Sequence, residues 1–356
     1  MANKLERSLM KGNEALAEAA IRAGCKCFFG YPITPQTEIS AYLAKRMPKT
    51  GGVFLQAESE IGAINMIYGC AGTGTRCMTS SSSPGISLKT EGISYIAGAD
   101  LPCLIVNVQR GGPGLGGIQP SQADYWQATK ALGHGDFHVI VFAPSTVQEM
   151  VDLTGKAFDL ADKFRMPAML LLDGLLGQMM EPVSFDEDVT VAEHKTPDWA
   201  ATGHGNSRPK NVINSLYLDP NELEASIRAR FARYDELKKH HTEAILSDTD
   251  DAEILVVAYG GTARVAKSAV DSARASGVKA GLFRPVTLFP FPEKELQKAA
   301  SNAKRIIVAE MSMGQMIDDV KLALSSSGIT TPVEFYGRTG GIIPDAEEIK
   351  ELISKN

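Results

Sequence analysis

The 356-residue sequence predicts an α/β fold, a doubly wound parallel sheet followed by a smaller α/β domain. Three observations carry this expectation. Short apolar runs alternate with stretches of helical spacing over roughly the first 175 residues. The apolar runs are continuous rather than alternating, as befits strands covered on both faces. After a polar, charge-rich interruption, the same alternation restarts at Glu253. Composition agrees: 44% hydrophobic and 22% charged residues suit a chain able to bury a core.

Taken in order, Asn13 to Gly24 reads as a helix, with Leu16, Ala20 and Ile21 at helical spacing. Lys26 to Gly30 is the first strand, and Ile39 to Met47 the next helix. Between them, Pro32 and Pro35 fix φ and push Tyr31 and Thr34 towards extended backbone, so the loop is stiff. Val53 to Ala57 is a strand, Ile61 to Gly72 a Gly/Ala-rich helix, and Arg76 to Ser81 a third strand. A helix from Ile86 to Ala97, a strand Leu104 to Val108, a helix near Gln122, a strand Val139 to Phe142, a helix from Thr146 and a strand Met169 to Leu172 follow. The pattern breaks from Glu181 to Asp251, where Glu222 to Ile245 reads as one charged helix. Strands at Ile254 to Ala258, Ala280 to Phe283 and Arg305 to Ala309, a helix over Ala263 to Ser276, and a last helix over Asp345 to Lys355 make the second domain. The expected division is 1–180, 181–251 and 252–356.

A formal net charge of −6 argues against a general nucleic-acid binder. No apolar run is long enough to span a membrane, and Met1 to Lys11 has no apolar core of a signal peptide. Five cysteines without a C-x-x-C point to free thiols in a reducing, cytoplasmic setting. Cys25 and Cys27 share a strand face but are too few for a structural metal site, and the histidines form no ligand pattern. No metal ligand is expected on this chain.

Ligands of an open parallel sheet bind beyond the carboxyl ends of its strands. Four loops leave that edge: Tyr31–Thr37, Glu58–Glu60, Ser80–Gly85 and Arg110–Gln122. They bring a hydroxyl, a carboxylate, a serine run, and an arginine beside glycines, a set suited to a small anionic ligand. Plainer readings stand beside each. Glu60 opens a helix, where the dipole favours a carboxylate, and Glu58 competes for any role. Arg110 can pair with an acid, and the serines can cap a helix. The loop Gly111–Gly117 is neither a P-loop nor a dinucleotide fingerprint, because the lysine and the spacing are missing.

Tyr31-Pro32-Ile33-Thr34-Pro35 resembles the signature of the 2-oxo acid:ferredoxin oxidoreductases. Glu58-Ser59-Glu60-Ile61-Gly62-Ala63 is similar to their thiamine-contacting segment, and Arg110-Gly111-Gly112-Pro113 to their substrate-arginine segment. Tyr259-Gly260, Pro290-Phe291-Pro292 and Glu310–Gln315 resemble their C-terminal domain. The run Gly114–Gln122 favours the alpha subunit of the branched-chain (3-methyl-2-oxobutanoate, or 2-ketoisovalerate) type over the 2-oxoglutarate type.

The resemblance implies a thiamine-diphosphate pyrimidine-binding domain followed by a transketolase C-terminal-like domain. It implies oxidative decarboxylation of a 2-oxo acid to acyl-coenzyme A and carbon dioxide, with electrons passed through iron–sulfur clusters to ferredoxin. Glu60 would be catalytic, bonding N1′ of the aminopyrimidine. Thr34, Arg110 and Tyr31 would bind substrate. Pro32, Ile33, Ser83 and Pro84, with Glu60, would contact the cofactor, and Tyr31, Ile33 and Leu115 would flank the substrate side chain. The Gly-Asp-Gly motif for Mg²⁺ and diphosphate is missing; the nearest run is Leu172-Asp173-Gly174. No cysteine run suits a cluster. A beta-type subunit is therefore expected to bind Mg²⁺ and diphosphate, with ferredoxin-like and gamma-type subunits completing the complex. The isolated chain is expected to be inactive. Two rivals stand: 2-oxoglutarate, pyruvate or an aryl 2-oxo acid as substrate, and a non-catalytic scaffold subunit.

Overall fold

The continuous apolar runs become strands of a seven-stranded sheet in a computed structural model that describes residues 7–185 and 195–355. The order across the sheet is Thr287–Phe289, Ile140–Phe142, Ala168–Asp173, Leu104–Gln109, Cys77–Ser81, Cys27–Gly30 and Val53–Gln56. The inner strands Ala168–Asp173, Leu104–Gln109 and Cys77–Ser81 are buried at every position, so neither face can alternate with polar residues. Helices cover both faces. Ile64, Ile93, Val141 and Leu171 belong to one apolar cluster, and Leu16, Phe28, Leu43 and Phe158 to another.

All strands of this sheet run parallel except Thr287–Phe289, which comes from the second half of the chain and pairs antiparallel with Ile140–Phe142. The polar N-terminal segment also contributes a strand, Ser8–Lys11, paired antiparallel with Met180–Val183. Met1 to Glu6 of that segment lie outside the described residues.

The second sheet has five strands, ordered Val333–Gly337, Arg305–Glu310, Ile254–Val257, Ala280–Pro285 and Ala244–Ser247. Its last strand corrects the expected helix over Glu222–Ile245. The helix runs Pro220–His240, with Asp219 as cap and proline in its first turn. The short Ala-Ile-Leu run beyond it fits a helix period, but it finds the open edge of Leu282–Pro285 and pairs there antiparallel. The helix expected near Gln122 is a single turn, Tyr125–Thr129. Helix Met316–Ser326 and strand Val333–Gly337 complete the second half.

The halves meet through buried polar contacts. The Gln122 side chain donates to Tyr259 O at 2.8 Å and accepts from Thr262 Oγ1 at 2.7 Å and from Met311 N at 2.9 Å. Tyr125 Oη donates to Asp319 Oδ2 at 2.6 Å. Among the described residues no helix is long and apolar enough to cross a membrane.

Candidate active site

The loop after Cys27–Gly30 carries two prolines and so has few N–H groups of its own; side chains from elsewhere fasten it. Asn13 Nδ2 donates to Pro35 O at 2.9 Å, and Arg110 Nη1 donates to Thr34 O at 3.0 Å. Gln36, fully buried, accepts from Ser80 Oγ at 2.5 Å and donates to Tyr31 O at 3.3 Å. The prolines therefore share the stiffening with Asn13 and Gln36. Thr34 is exposed at the sheet edge, Pro32 is exposed, and Tyr31 and Ile33 are half-buried beside it.

The next loop separates the two glutamates. Ser59 caps the helix Glu60–Gly72, its hydroxyl accepting from Gly62 N at 3.0 Å. That cap turns Glu58 out to solvent, folded over Gly62, and turns Glu60 inward to 7% exposure. Glu60 rests on bare backbone: a Cβ on Gly85 would lie 2.8 Å from Glu60 Oε1 and 2.2 Å from Ser81 Oγ. Among the described residues no hydrogen bond takes up this carboxylate, and its oxygens are not among the fully buried unpartnered atoms, so they keep an opening.

The serine run divides by function. Ser80 holds Gln36. Ser83 Oγ donates to Asp124 Oδ2 at 2.6 Å and accepts the Arg110 N–H at 3.0 Å, and Ser83 N donates to Asn107 Oδ1 at 3.1 Å. Asn107 Nδ2 donates to the same Asp124 oxygen at 2.9 Å. Burial raises the proton affinity of Asp124, and the bonds from Ser83 and Asn107 partly offset that. Pro84 opens the short helix Ser83–Ser87. The hydroxyls of Ser81 and Ser82, Arg110 Nε and Lys89 Nζ are buried without hydrogen-bond partners among the described residues.

Arg110 is nearly buried and spans two loops: Nη1 reaches Thr34 O, and Nη2 reaches Leu115 O at 3.3 Å. Carbonyls, not an acid, take its donors. The glycine loop closes on itself through Gly117 N to Gly111 O at 2.9 Å and Gly111 N to Gln119 O at 3.0 Å. Gly116 has φ +56°, and a Cβ there would sit 1.8 Å from Gly111 O, so glycine is required. Leu115, 85% exposed, projects from this tongue. Beside Thr34 a groove of about 580 Å³ is lined by Pro35, Ile118, Pro120, Gly174, Leu175 and Ile343.

Asp173 is spent elsewhere. It caps the turn after its strand through Leu176 N at 3.0 Å and accepts from Gly261 N at 2.9 Å, while burial raises its proton affinity. The cysteines are free thiols, and among the described residues no group of three or more His, Cys, Asp or Glu could hold a metal ion.

Thr34, Glu60, Ser83 and Arg110 thus converge at one sheet edge, as the sequence led us to expect. Gln36, Asn107, Lys89 and Asp124 were not foreseen. Polar residues inside or beside apolar runs, such as Asn107 in Leu104–Gln109, were the available signal.

Residues 18–259 match the family described as pyruvate flavodoxin/ferredoxin oxidoreductase, thiamine diphosphate-binding, and residues 252–349 match pyruvate:ferredoxin oxidoreductase core domain II. The ketoisovalerate oxidoreductase subunit VorB of Methanothermobacter thermautotrophicus is 49% identical over 350 residues, 97% of this chain and 96% of that one. The 2-oxoglutarate synthase subunit KorA of the same organism is 37% identical over 98% of this chain and 99% of its own. A 2-oxoglutarate:ferredoxin oxidoreductase from Magnetococcus marinus, solved with 2-oxoglutarate, coenzyme A and succinyl-CoA, superposes at TM-score 0.87 with 27% identity. This chain spans 98% of itself and 65% of that longer chain in the superposition. A split-gene transketolase at TM-score 0.60 and 15% identity shares the fold alone. The chain belongs to the thiamine-diphosphate-binding 2-oxo acid:ferredoxin oxidoreductases.

Proposed function

We propose that this chain is the alpha-type subunit of a cytoplasmic complex that oxidatively decarboxylates a branched-chain 2-oxo acid to its acyl-coenzyme A. The observation that carries the reading is Glu60: a residue turned inward to 7% exposure whose carboxylate takes no hydrogen bond among the described residues, laid on the open backbone of Gly85. Such a group is built for a partner from outside. The Ser81 hydroxyl, which meets the same Gly85 backbone, and the Ser82 hydroxyl and Arg110 Nε are likewise without partners among the described residues and fit the same purpose. This donor set suits the aminopyrimidine half of thiamine diphosphate and a carboxylate, with no residue set here for diphosphate.

Decarboxylation chemistry is supplied by thiamine diphosphate when it is bound. The chain's own contribution is placement and proton control. Glu60 holds a proton at N1′ of the aminopyrimidine from a rigid helix start. Arg110 presents its guanidinium to the substrate carboxylate, and the exposed Thr34 hydroxyl gives direction. Tyr31, Pro32, Ile33 and Pro84 supply apolar walls, and Ser83 holds Arg110 in register. A beta-type subunit contributes Mg²⁺ and diphosphate binding, and ferredoxin-like and gamma-type subunits the clusters and the exit to ferredoxin. The higher identity to a ketoisovalerate subunit than to a 2-oxoglutarate subunit supports a branched-chain substrate.

The test is reconstitution with the partner subunits, a panel of 2-oxo acids, and Glu60→Gln. The substitution should lower kcat by at least about a hundredfold with assembly unchanged. An unchanged rate means a scaffold subunit, and a preference for 2-oxoglutarate overturns the substrate assignment.

A further inference from the structure

Lys89 is a lysine with no access to solvent. It is 0% exposed, and among the described residues its Nζ makes no hydrogen bond. Burying an ammonium without a bond is costly, so such a residue is rarely retained for packing alone. Its place in the fold is specific. Leu88 and Lys89 both hold helical backbone, so the turn Ser83–Ser87 runs almost unbroken into the helix Thr90–Gly98. Lys89 therefore sits one turn beyond Gly85 on the same face, and helical side chains lean back towards the N-terminus. The surface it leans towards is the Gly85 backbone, where the Glu60 carboxylate rests. The helix Thr90–Gly98 also packs on the Glu60–Gly72 helix, with Gly92 against Ile64.

The charges around Lys89 come from few places. The Glu60–Gly72 helix brings Glu60, and the Ser83–Ser87 turn brings none. The Thr90–Gly98 helix brings Glu91, which takes the Tyr95 hydroxyl at 2.5 Å on the exposed side, and the exposed His134 lies edge-on to Tyr95 there. Asp124 is held by Ser83 and Asn107, and Arg110 by the Thr34 and Leu115 carbonyls.

Resting on the reading of Glu60 above, we propose that Lys89 is its positioning residue: the buried ammonium is the countercharge that holds the Glu60 carboxylate in place and directed into the site. Burial pushes the Lys89 ammonium down to about 8, and Glu60 pulls it back up.

Two measurements test this. The first needs no cofactor: the full-length chain is labelled with [ε-¹³C]lysine, and the Lys89 signal, assigned by its loss in Lys89→Met, is titrated. A midpoint near 8 is expected, falling by about one pH unit in Glu60→Gln, the size of a tenfold change in proton affinity. A midpoint unmoved by Glu60→Gln overturns the proposal, even where Lys89→Met fails to assemble. The second is the pH profile of kcat/KM in the reconstituted complex. In the wild type the rate should fall as Lys89 loses its proton near 8; Lys89→Met should remove that limb, and a superimposable profile overturns the proposal. The rate of Glu60→Gln separately tests whether Glu60 is catalytic, so a failure of that reading leaves a distinct signature: full rate with an intact Glu60–Lys89 coupling.

Discussion

Arg110 ties the proline loop to the glycine tongue with one planar guanidinium, one nitrogen to each. Lysine has a point charge and cannot span both carbonyls. On the role proposed for it, Arg110→Lys should therefore raise KM for the 2-oxo acid by roughly tenfold or more, because the cation loses its fixed position between the two loops, with a smaller change in kcat. Steady-state kinetics of the complex decides this, and an unchanged KM removes Arg110 from substrate binding. Lys89 makes the opposite kind of prediction, for stability. Its drop from an ordinary 10.5 to about 8 corresponds to about 3 kcal/mol against the charged form. Between those values the unfolded chain holds the proton and the folded one releases it, so stability rises with pH across that window. Lys89→Met should abolish that slope and be the more stable protein below pH 8, as read by urea unfolding at several pH values. Its cost then falls on catalysis and not on folding, as befits a group kept for function. Arg110 was readable from residue types as an arginine among glycines; Lys89 was not, since it looks like any surface lysine until its burial is known.

The elements were more legible than the residues. Continuous apolar runs located the strands of the first sheet because burial on both faces leaves a strong signal. The carboxyl-edge rule then picked out four loops that do leave one edge of that sheet. Sequence periodicity failed at Ala244–Ser247, where an open sheet edge far along the chain overrides local helix spacing. It also could not separate Glu58 from Glu60, since the decision rests on the capping geometry of Ser59. The serine loop offers the element-scale test. Gly85 has an ordinary helical setting, so Gly85→Ala is not a backbone problem, but the added methyl meets Ser81 Oγ and Glu60 Oε1. The carboxylate must move, and if Glu60 has the role proposed for it, misplacement by about an ångström costs on the order of a hundredfold. Gly85→Ala should therefore lose kcat on that scale with far-ultraviolet circular dichroism unchanged. Gly69→Ala, where nothing lies within reach of the added methyl, is the control expected to keep the wild-type rate.

Across the whole molecule, the break after Glu181 suggested two halves with a spacer, yet the halves are built into one another. Strand Thr287–Phe289 of the second completes the sheet of the first, and one apolar cluster joins Val141 and Tyr125 to Tyr259, Phe283 and Met316. Such crossings are invisible to local pattern, because each residue sits in a locally ordinary run. The site depends on the crossing: Gln122 ends the loop that begins at Arg110, and it is fastened entirely by the second half. Glu310, raised in proton affinity by burial, bonds the N–H groups of Gln315, Met316 and Ile317 and so fixes the segment that holds Gln122. Gln122→Leu would fit the space but leave the Met311 N–H, the Tyr259 carbonyl and the Thr262 hydroxyl buried without this partner. At about 1–3 kcal/mol for each orphaned group, the loss is several kcal/mol. Thermal unfolding should begin lower by roughly 5–10 °C, and protease cleavage near Gly111–Gly117 should quicken as the tongue loses its anchor. If apolar contact alone held the halves together, the more apolar leucine would leave both the melting temperature and the cleavage rate where they were.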